Sequence, residues 1–503
     1  MTSTLSGPER NNCSSWARSF RIPGLFELSR LISLAFLAFI LLGPSPGLAQ
    51  PDDATGDLSW TSDNPRFISG KIDVPENHDE PDGKMIEIAY VVIKAKDTTS
   101  NFHPIVLFSG GPGGNTIGQG TAQFLSDHPF TEKQDFILFD QRGIGHSSPM
   151  PDMSFDSFKI MAKDATEEEE LQLTKELIRD YKKQCSNLGI NPANYNTYQN
   201  ARDVGVLFKH LGYEKYNLFG GSYGTRIARV VQDLFPEYVH SAVLDSPSPL
   251  SGDFLLQRFE NYSKALTRIF EYCELNEGCN EQYPDLRSDY FKAISLLQQR
   301  PVKVTLKDSS DFYINAQDGI YLLRRLLYQD DSREKAPEMI QALIKGEGEI
   351  LERVLGFEQM LTGSLNSTML LSVERFENFN NSNTSEVISK EYSKYPLLPT
   401  RLGYFDAMYQ AGMEWHEGYL PLEKRKFEQS DIPSMVFVNQ FDPVTPPVNG
   451  HLFKEQLSNC QLFVLDEGGH GGGNQDCKTR IMLDFMQDPT ASLDTSCLNL
   501  YER

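Results

Sequence analysis

The stretch YNLFGGSYGT, residues 216–225, decides the fold. Its first half is a short apolar run of the kind that makes a buried strand. Its second half fits G-x-S-x-G, and the residues that follow, RIARVVQDLF, read as a helix that must stop near Pro236. Strand, glycine turn and helix in that order are the context in which this pattern carries chemistry. Such a turn is so tight that the positions flanking Ser222 must be glycine. It lifts the serine hydroxyl clear of the sheet, above a helix N-terminus that favours developing negative charge. The pattern alone is weak, because Gly43-Pro44-Ser45-Pro46-Gly47 also fits it. That copy follows no sheet strand and has Pro46 where a backbone N–H is needed.

Working outward, similar runs recur on both sides. PIVLF ends at Phe108, DFILFD at Asp140, SAVLD at Asp245, PSMVFVN at Asn439 and QLFVLD at Asp466. Helical stretches separate several of them, one spanning about 201–211. This alternation predicts an α/β fold, a mostly parallel sheet with helices on both faces. Two earlier runs, RFISGKIDV (66–74) and MIEIAYVVIKA (85–95), predict an antiparallel opening pair. From about residue 250 to 431 the pattern changes to long helical stretches such as FLLQRFENYSKALTRIFEYC, and no comparable strand run is evident. We read core segments at 66–249 and 432–503, with 250–431 inserted as a helical cap. The EEEE run at 167–170 reads as a solvated helix face.

The chain has 503 residues, 39% of them apolar and 11% aromatic, enough to build a substantial core and too many for a disordered chain. A net charge of −22 argues against nucleic acid as a partner, since phosphate binding needs a basic surface. Residues 31–43, LISLAFLAFILLG, follow Arg10, Arg18, Arg21 and Arg30 and precede Gly47-Leu48-Ala49. The run is too short for a membrane span and fits a signal core. Residues 1–49 therefore read as a cleaved export signal, with an uncleaved anchor as the alternative and no stable membrane span expected after cleavage. Residues 50–65 read as a surface lead-in. Six cysteines remain beyond the signal, and an even count in an exported chain favours disulfides. Cys273 with Cys279, and Cys477 with Cys497, are the pairs that spacing suggests.

A serine alcohol is a poor nucleophile unless a base activates it and an acid orients the base. On this fold the chain order is serine, acid, histidine. His240, His416, His451 and His470 follow Ser222. His470 lies in DEGGHGGG, directly after a strand, whereas His240 precedes a strand, His451 opens a helix and His416 falls in the insertion. For the acid, Asp442 follows PSMVFVN and precedes a turn-fixing proline; Asp245 also ends a strand and is its rival. The candidate catalytic set is Ser222, Asp442 and His470. The glycine run Ser109-Gly110-Gly111-Pro112-Gly113-Gly114 follows an early strand and lets backbone approach a carbonyl closely. The N–H groups of Gly111 and Tyr223 are the expected oxyanion donors.

Together, SGGPGG (109–114), DQRGIGHS (140–147), GGSYGT (220–225), DPVTP (442–446) and GGHG (468–471) resemble the prolyl aminopeptidase family of serine peptidases, α/β-hydrolase-fold exopeptidases that include secreted tripeptidyl aminopeptidase-like members. The resemblance implies the same triad and an oxyanion donor from SGGPGG. It also implies that Asp140 and Arg142 brace loops, with Arg142 a buried ion-pair partner. Ser109 stands where prolyl aminopeptidases usually carry histidine, which points to the tripeptidyl or broader secreted branch and away from proline specificity.

The expected activity is an exported serine exopeptidase acting near the free N-terminus of peptides, needing no metal or cofactor. Acidic residues of the insertion would suit the substrate's ammonium, and Glu414 and Glu417 are candidates. An esterase on the same triad, or an inactive hydrolase fold acting as a binding module, are the alternatives.

Overall fold

A computed structural model describes residues 57–501, apart from 252 and 467. The expected export segment lies outside the described residues. Eight strands form one sheet: β1 (Phe67–Pro75), β2 (Met85–Ile93), β3 (Ile105–Phe108), β4 (Phe136–Phe139), β5 (Tyr216–Gly221), β6 (Val239–Asp245), β9 (Ser434–Asn439) and β10 (Cys460–Leu465). Their spatial order is β1-β2-β4-β3-β5-β6-β9-β10. β1 pairs antiparallel with β2, and β2 with β4; every later neighbour is parallel. Each strand run read from the sequence is present, and the fold is α/β as expected.

The sheet is buried on both faces. Along β3 and β5 successive side chains alternate between two cores: Val106, Phe108 and Leu218 face one, Leu107 and Phe219 the other. This is why the central strands read as continuous apolar runs. The two edges differ. Along β1 only Ile72 and Val74 are buried, and β10 is mostly half-buried.

Between β6 and β9 the chain forms helices from Phe254–Leu275 to Tyr404–Gly412, together with a hairpin of β7 (Val302–Thr305) and β8 (Asp311–Ile314). The hairpin escaped the sequence pattern because each strand has four residues, two of them polar or charged. The helices Ser154–Met161 and Glu167–Asn187, which lie before β5, also pack on this insertion. Tyr313 N donates to Ala162 O over 3.0 Å.

That packing corrects the reading of the EEEE run. Thr166 caps the helix at Glu167–Asn187, and Glu167–Glu169 are exposed there. Glu170 is buried against the insertion, where Gln317 Nε2 donates to its Oε2 at 2.6 Å. Burial raises the Glu170 carboxyl to about 7; the Gln317 hydrogen bond opposes this, and the charges of Asp406 and Glu167 add to it. Asp406 is likewise raised to about 6, mainly by burial. A raised carboxyl binds a proton in the folded chain that the unfolded chain has already released. Its stabilising contribution is therefore complete below about pH 4 and is lost as pH rises through 7. Glu170→Gln is expected to flatten the fall of Tm between pH 5 and 8, measured by thermal melts across that range. An unchanged slope would count against the assignment.

Two disulfides are present, Cys273–Cys279 and Cys477–Cys497, the pairs that spacing suggested. Cys185 and Cys460 are free thiols, so the even count overstated the pairing. Among the described residues, no helix is long and apolar enough to cross a membrane.

Candidate active site

The site begins at the end of β5. Ser222 has φ 53° and ψ −123°, a backbone conformation that L side chains rarely adopt. The Ser222 N–H donates to Asp245 O at 2.9 Å, tying the turn to β6. The flanking glycines have a steric cause. A Cβ on Gly220 would lie 2.7 Å from Gly224 O, and one on Gly224 would lie 1.9 Å from Phe108 O. The helix Tyr223–Leu234 can thus start directly against the end of β3 only if both positions lack a side chain.

Ser222, His470 and Asp442 are brought together. His470 Nε2 lies 2.9 Å from Ser222 Oγ, and His470 Nδ1 lies 2.7 Å from Asp442 Oδ2. Asp442 follows β9 and accepts further hydrogen bonds from Val444 N (2.7 Å), Thr445 N (2.9 Å) and Thr445 Oγ1 (2.7 Å). Burial raises this carboxyl, but the His470 charge and hydrogen bond and the Thr445 donors outweigh it, and Asp442 falls below the ordinary aspartate value. It is a fixed anion at neutral pH, placed to hold the imidazole tautomer that exposes Nε2 to the serine. Of the other histidines, His416 is buried in the insertion within 3.1 Å of Ser372 O, and the His240 ring lies 4.5 Å from that of His103.

The glycine loop after β3 completes the floor. Gly111 has φ 111°, and a Cβ there would lie 2.8 Å from Gly113 N. Among the described residues the Gly111 N–H has no hydrogen-bond acceptor. Tyr223 is the first residue of its helix, where an N–H has no intrahelical acceptor. Neither N–H is committed to a hydrogen-bond acceptor among the described residues. Ser109 folds the loop: its Oγ donates to Gly114 O and accepts from Gln141 Nε2 at 2.9 Å. Arg142 is buried and grips Asp203 through Nε (2.8 Å) and Nη2 (2.7 Å). Asp140 accepts from the N–H groups of Thr116, Ile117 and His146. Both act as braces.

Four supports were not singled out from the sequence: Lys478, Ser246, Asp330 and Tyr328. Lys478 donates to Asp245 and to the carbonyls of Gly471 (3.2 Å) and Gly472 (3.1 Å), joining the His470 loop to the end of β6. Asp245, the rival acid, is thereby committed to an ion pair. Ser246 Oγ accepts from Gly471 N at 2.9 Å. Asp330, from the insertion, accepts from Gly473 N at 3.2 Å, and Tyr328 O accepts from His470 N at 3.0 Å. The glycines around His470 admit this contact: a Cβ on Gly469 would lie 2.5 Å from Tyr328 backbone. Nothing local in the sequence marks these residues; apart from Lys478's bonds to Gly471 and Gly472, they act across more than a hundred positions.

Above the triad lies a cavity of about 170 Å³, bounded by Ser222, His470 and Gly111 below and by residues of the insertion above. Its carboxylates are Glu358 and Glu374. Glu358 is taken by Arg325 and by Tyr321 OH (2.6 Å). Glu374, 9% exposed, has no side-chain hydrogen bond among the described residues. Glu414 and Glu417 do not line this cavity, and Glu414 pairs with Arg179 at the surface (3.0 Å).

Comparison with known proteins agrees with this architecture. Residues 103–281 match the family described as alpha/beta hydrolase fold, and residues 411–497 match that described as TAP-like protein. A tripeptidyl aminopeptidase of Streptomyces coelicolor is 31% identical over 39% of this chain and 37% of its own length. Serine protease Hip1 of Mycobacterium tuberculosis is 26% identical over 49% of this chain and 52% of its own. Proline iminopeptidase of Xanthomonas citri is 24% identical over 73% of this chain and 83% of its own. The chain thus spans between about two fifths and half the length of the first two relatives. By sheet, elbow and matched family, the chain is an α/β hydrolase. The tripeptidyl aminopeptidase, Hip1 and proline iminopeptidase similarities, with the TAP-like match, support a peptidase family within that fold.

Proposed function

We propose that this protein is an exported serine exopeptidase that hydrolyses peptide bonds near a free N-terminus. The observation that carries the chemistry is the unbroken chain Ser222 Oγ–His470–Asp442, at 2.9 and 2.7 Å, opening into a cavity roofed by the insertion. Ser222 Oγ attacks the scissile carbonyl as His470 Nε2 takes the hydroxyl proton. Asp442 stabilises the resulting imidazolium. The Gly111 and Tyr223 N–H groups receive the oxyanion. His470 then returns the proton to the leaving amine, and water, deprotonated by the same nitrogen, releases the acyl group and restores Ser222.

The insertion residues over the triad support an exopeptidase, because they limit how a peptide can approach Ser222. Glu374 is the carboxylate we assign to the substrate ammonium: it lines the cavity and makes no side-chain hydrogen bond among the described residues. The two disulfides and the peptidase relatives support export, since disulfides persist in oxidising compartments.

The test is a panel of chromogenic mono-, di- and tripeptide amides, each with a free and an acetylated amine, beside matched esters. Free-amine peptides are expected to be cleaved at least tenfold faster in kcat/KM than acetylated ones, and Glu374→Gln to shrink that ratio. Equal or faster cleavage of acetylated peptides defeats the aminopeptidase reading. Turnover confined to the esters favours an esterase.

A further inference from the structure

One helix of the insertion, Ser367–Glu377, is bonded at each end to a segment that carries a proposed oxyanion donor. At its start stands the cap residue Asn366, whose side chain accepts from Thr368 N and Met369 N. Asn366 N donates to Gly113 O at 3.0 Å, and Leu365 forms an antiparallel bridge with Gly114, so this turn lies along the glycine loop that holds Gly111. A Cβ on Gly113 would lie 2.5 Å from Asn366 O. The turn is tied in its own right to the segment that leads into the helix Ser154–Met161. Asn366 Nδ2 donates to Met150 O at 3.1 Å, Ser367 N to Asp152 Oδ1 at 3.1 Å and Ser154 Oγ to Leu365 O at 2.6 Å.

At the other end Glu377 is fully buried. Its Oε1 accepts from Thr197 N at 2.6 Å, and its Oε2 accepts from Thr197 Oγ1 at 2.7 Å and Arg226 Nη1 at 2.9 Å. Arg226 belongs to the helix Tyr223–Leu234 that opens at the elbow. A threonine hydroxyl has one hydrogen, and here it goes to the carboxylate. The Tyr223 hydroxyl, 2.9 Å away, therefore donates to Thr197 Oγ1. Glu377 thus reaches, through Thr197, the side chain of the residue whose N–H is the second proposed donor. Charge neutralisation of Arg226 alone would leave the Thr197 and Gly113 contacts unexplained.

We propose that the insertion helix Ser367–Glu377 is a spacer that sets the two halves of the oxyanion hole against each other, with Asn366 and Glu377 as positioning residues for the Gly111 and Tyr223 N–H groups. Oxyanion donors act only when aimed: losing one costs about 10²–10³ in rate, and a displacement of about 1 Å can cost about 10². The glycine loop and the elbow helix come from distant parts of the chain. A helix of 11 residues spans about 16 Å and keeps its length, so contacts at its two ends hold those segments at a set separation. This deepens the function proposed above and rests on it for the identity of the two donors. Glu374, assigned above to the substrate ammonium, stands on the same helix, so peptide seating and oxyanion geometry share one element.

Two variants test this. Asn366→Ala removes the helix cap and the Met150 tether, and Thr197→Val cuts the link to Tyr223 while keeping the Glu377–Arg226 pair. Glu377 itself is left in place, because stripping a buried ion pair of one partner costs stability on its own. Fluorophosphonate labelling taken to completion counts the active sites, and thermal melts confirm folding. Per labelled site, each variant is expected to lose at least about fivefold and up to about 100-fold in kcat, on the best peptide amide and on para-nitrophenyl acetate alike, with KM within about threefold of wild type. Phenylboronic acid, whose tetrahedral adduct on Ser222 places an oxygen in the oxyanion hole, is expected to bind more weakly by the same factor as the fall in kcat/KM. Packing damage alone would lower Tm or raise KM and leave kcat per site unchanged. A smaller loss of kcat per site in either folded variant overturns the proposal, as does boronate affinity that does not fall with kcat/KM. The ester arm reads the oxyanion hole without a peptide, and failure of the exopeptidase reading is seen separately, in wild-type turnover of acetylated peptides.

Discussion

Ser222→Ala is expected to lower kcat by roughly 10⁴–10⁶-fold with the fold intact. The side chain lost is one hydroxyl whose partner is His470, so the change removes the proposed nucleophile and little packing. Alanine carries the same Cβ as serine, so the strained backbone at φ 53° is no worse served. What survives is the contribution of the two oxyanion donors and of substrate positioning, worth about 10³-fold over water in comparable enzymes. Asp442→Asn keeps the shape, but its amide can donate to Nδ1 and so favours the wrong tautomer; a loss of about 10⁴ in kcat follows. His470→Ala should cost about as much as Ser222→Ala, and the double variant little more, because the pair acts as a unit. Labelling with a fluorophosphonate probe reads the same claim directly. Wild type should label stoichiometrically and Ser222→Ala not at all. A probe adduct that persists in Ser222→Ala would place the nucleophile elsewhere and remove the whole assignment.

The parts legible in the sequence share a property: each announces itself within a few residues. β3, β5, β6 and β9 lie in the sheet's interior and are buried almost throughout, so each shows a short apolar run. The elbow glycines are fixed by backbone atoms a few ångströms away, and such steric demands leave a local pattern. Asp442 and His470 stand just past strands at the sheet's carboxyl edge. Residues whose role depends on distant partners left no such trace. Glu170 sits in a run of four glutamates and differs from its neighbours only in facing Gln317, a helix of the insertion away. Glu414 is acidic and in the insertion, yet it is exposed in the turn after the helix Tyr404–Gly412, while Glu374 lines the cavity from the helix Ser367–Glu377; the sequence offered no frame for telling these placements apart. Lys478 reads as an ordinary helix-surface lysine.

Lys478→Met is the second large effect we expect, about 3–5 kcal/mol of lost stability together with a marked loss of activity. Lys478 and Asp245 are both fully buried, and their contact sits directly behind the elbow. Removing the ammonium strands the Asp245 carboxylate without its counter-ion. That carboxyl is already raised by burial against the opposing pull of Lys478, so the variant folds best with Asp245 protonated and becomes less stable as pH rises. Asp245→Asn together with Lys478→Met separates two roles. With both charges gone, much of the stability should return, because a neutral buried pair avoids the desolvation penalty. Activity should not return to the same degree. Lys478 also holds the carbonyls of Gly471 and Gly472, and no group in the double variant restores that grip on the loop carrying His470. A positioning role therefore shows as recovered Tm without recovered kcat. Denaturant melts and kcat on the best peptide amide measure the two together. Parallel recovery of both would mean that Lys478 does no more than neutralise Asp245, and that the His470 loop keeps its place through Ser246, Asp330 and Tyr328 without it.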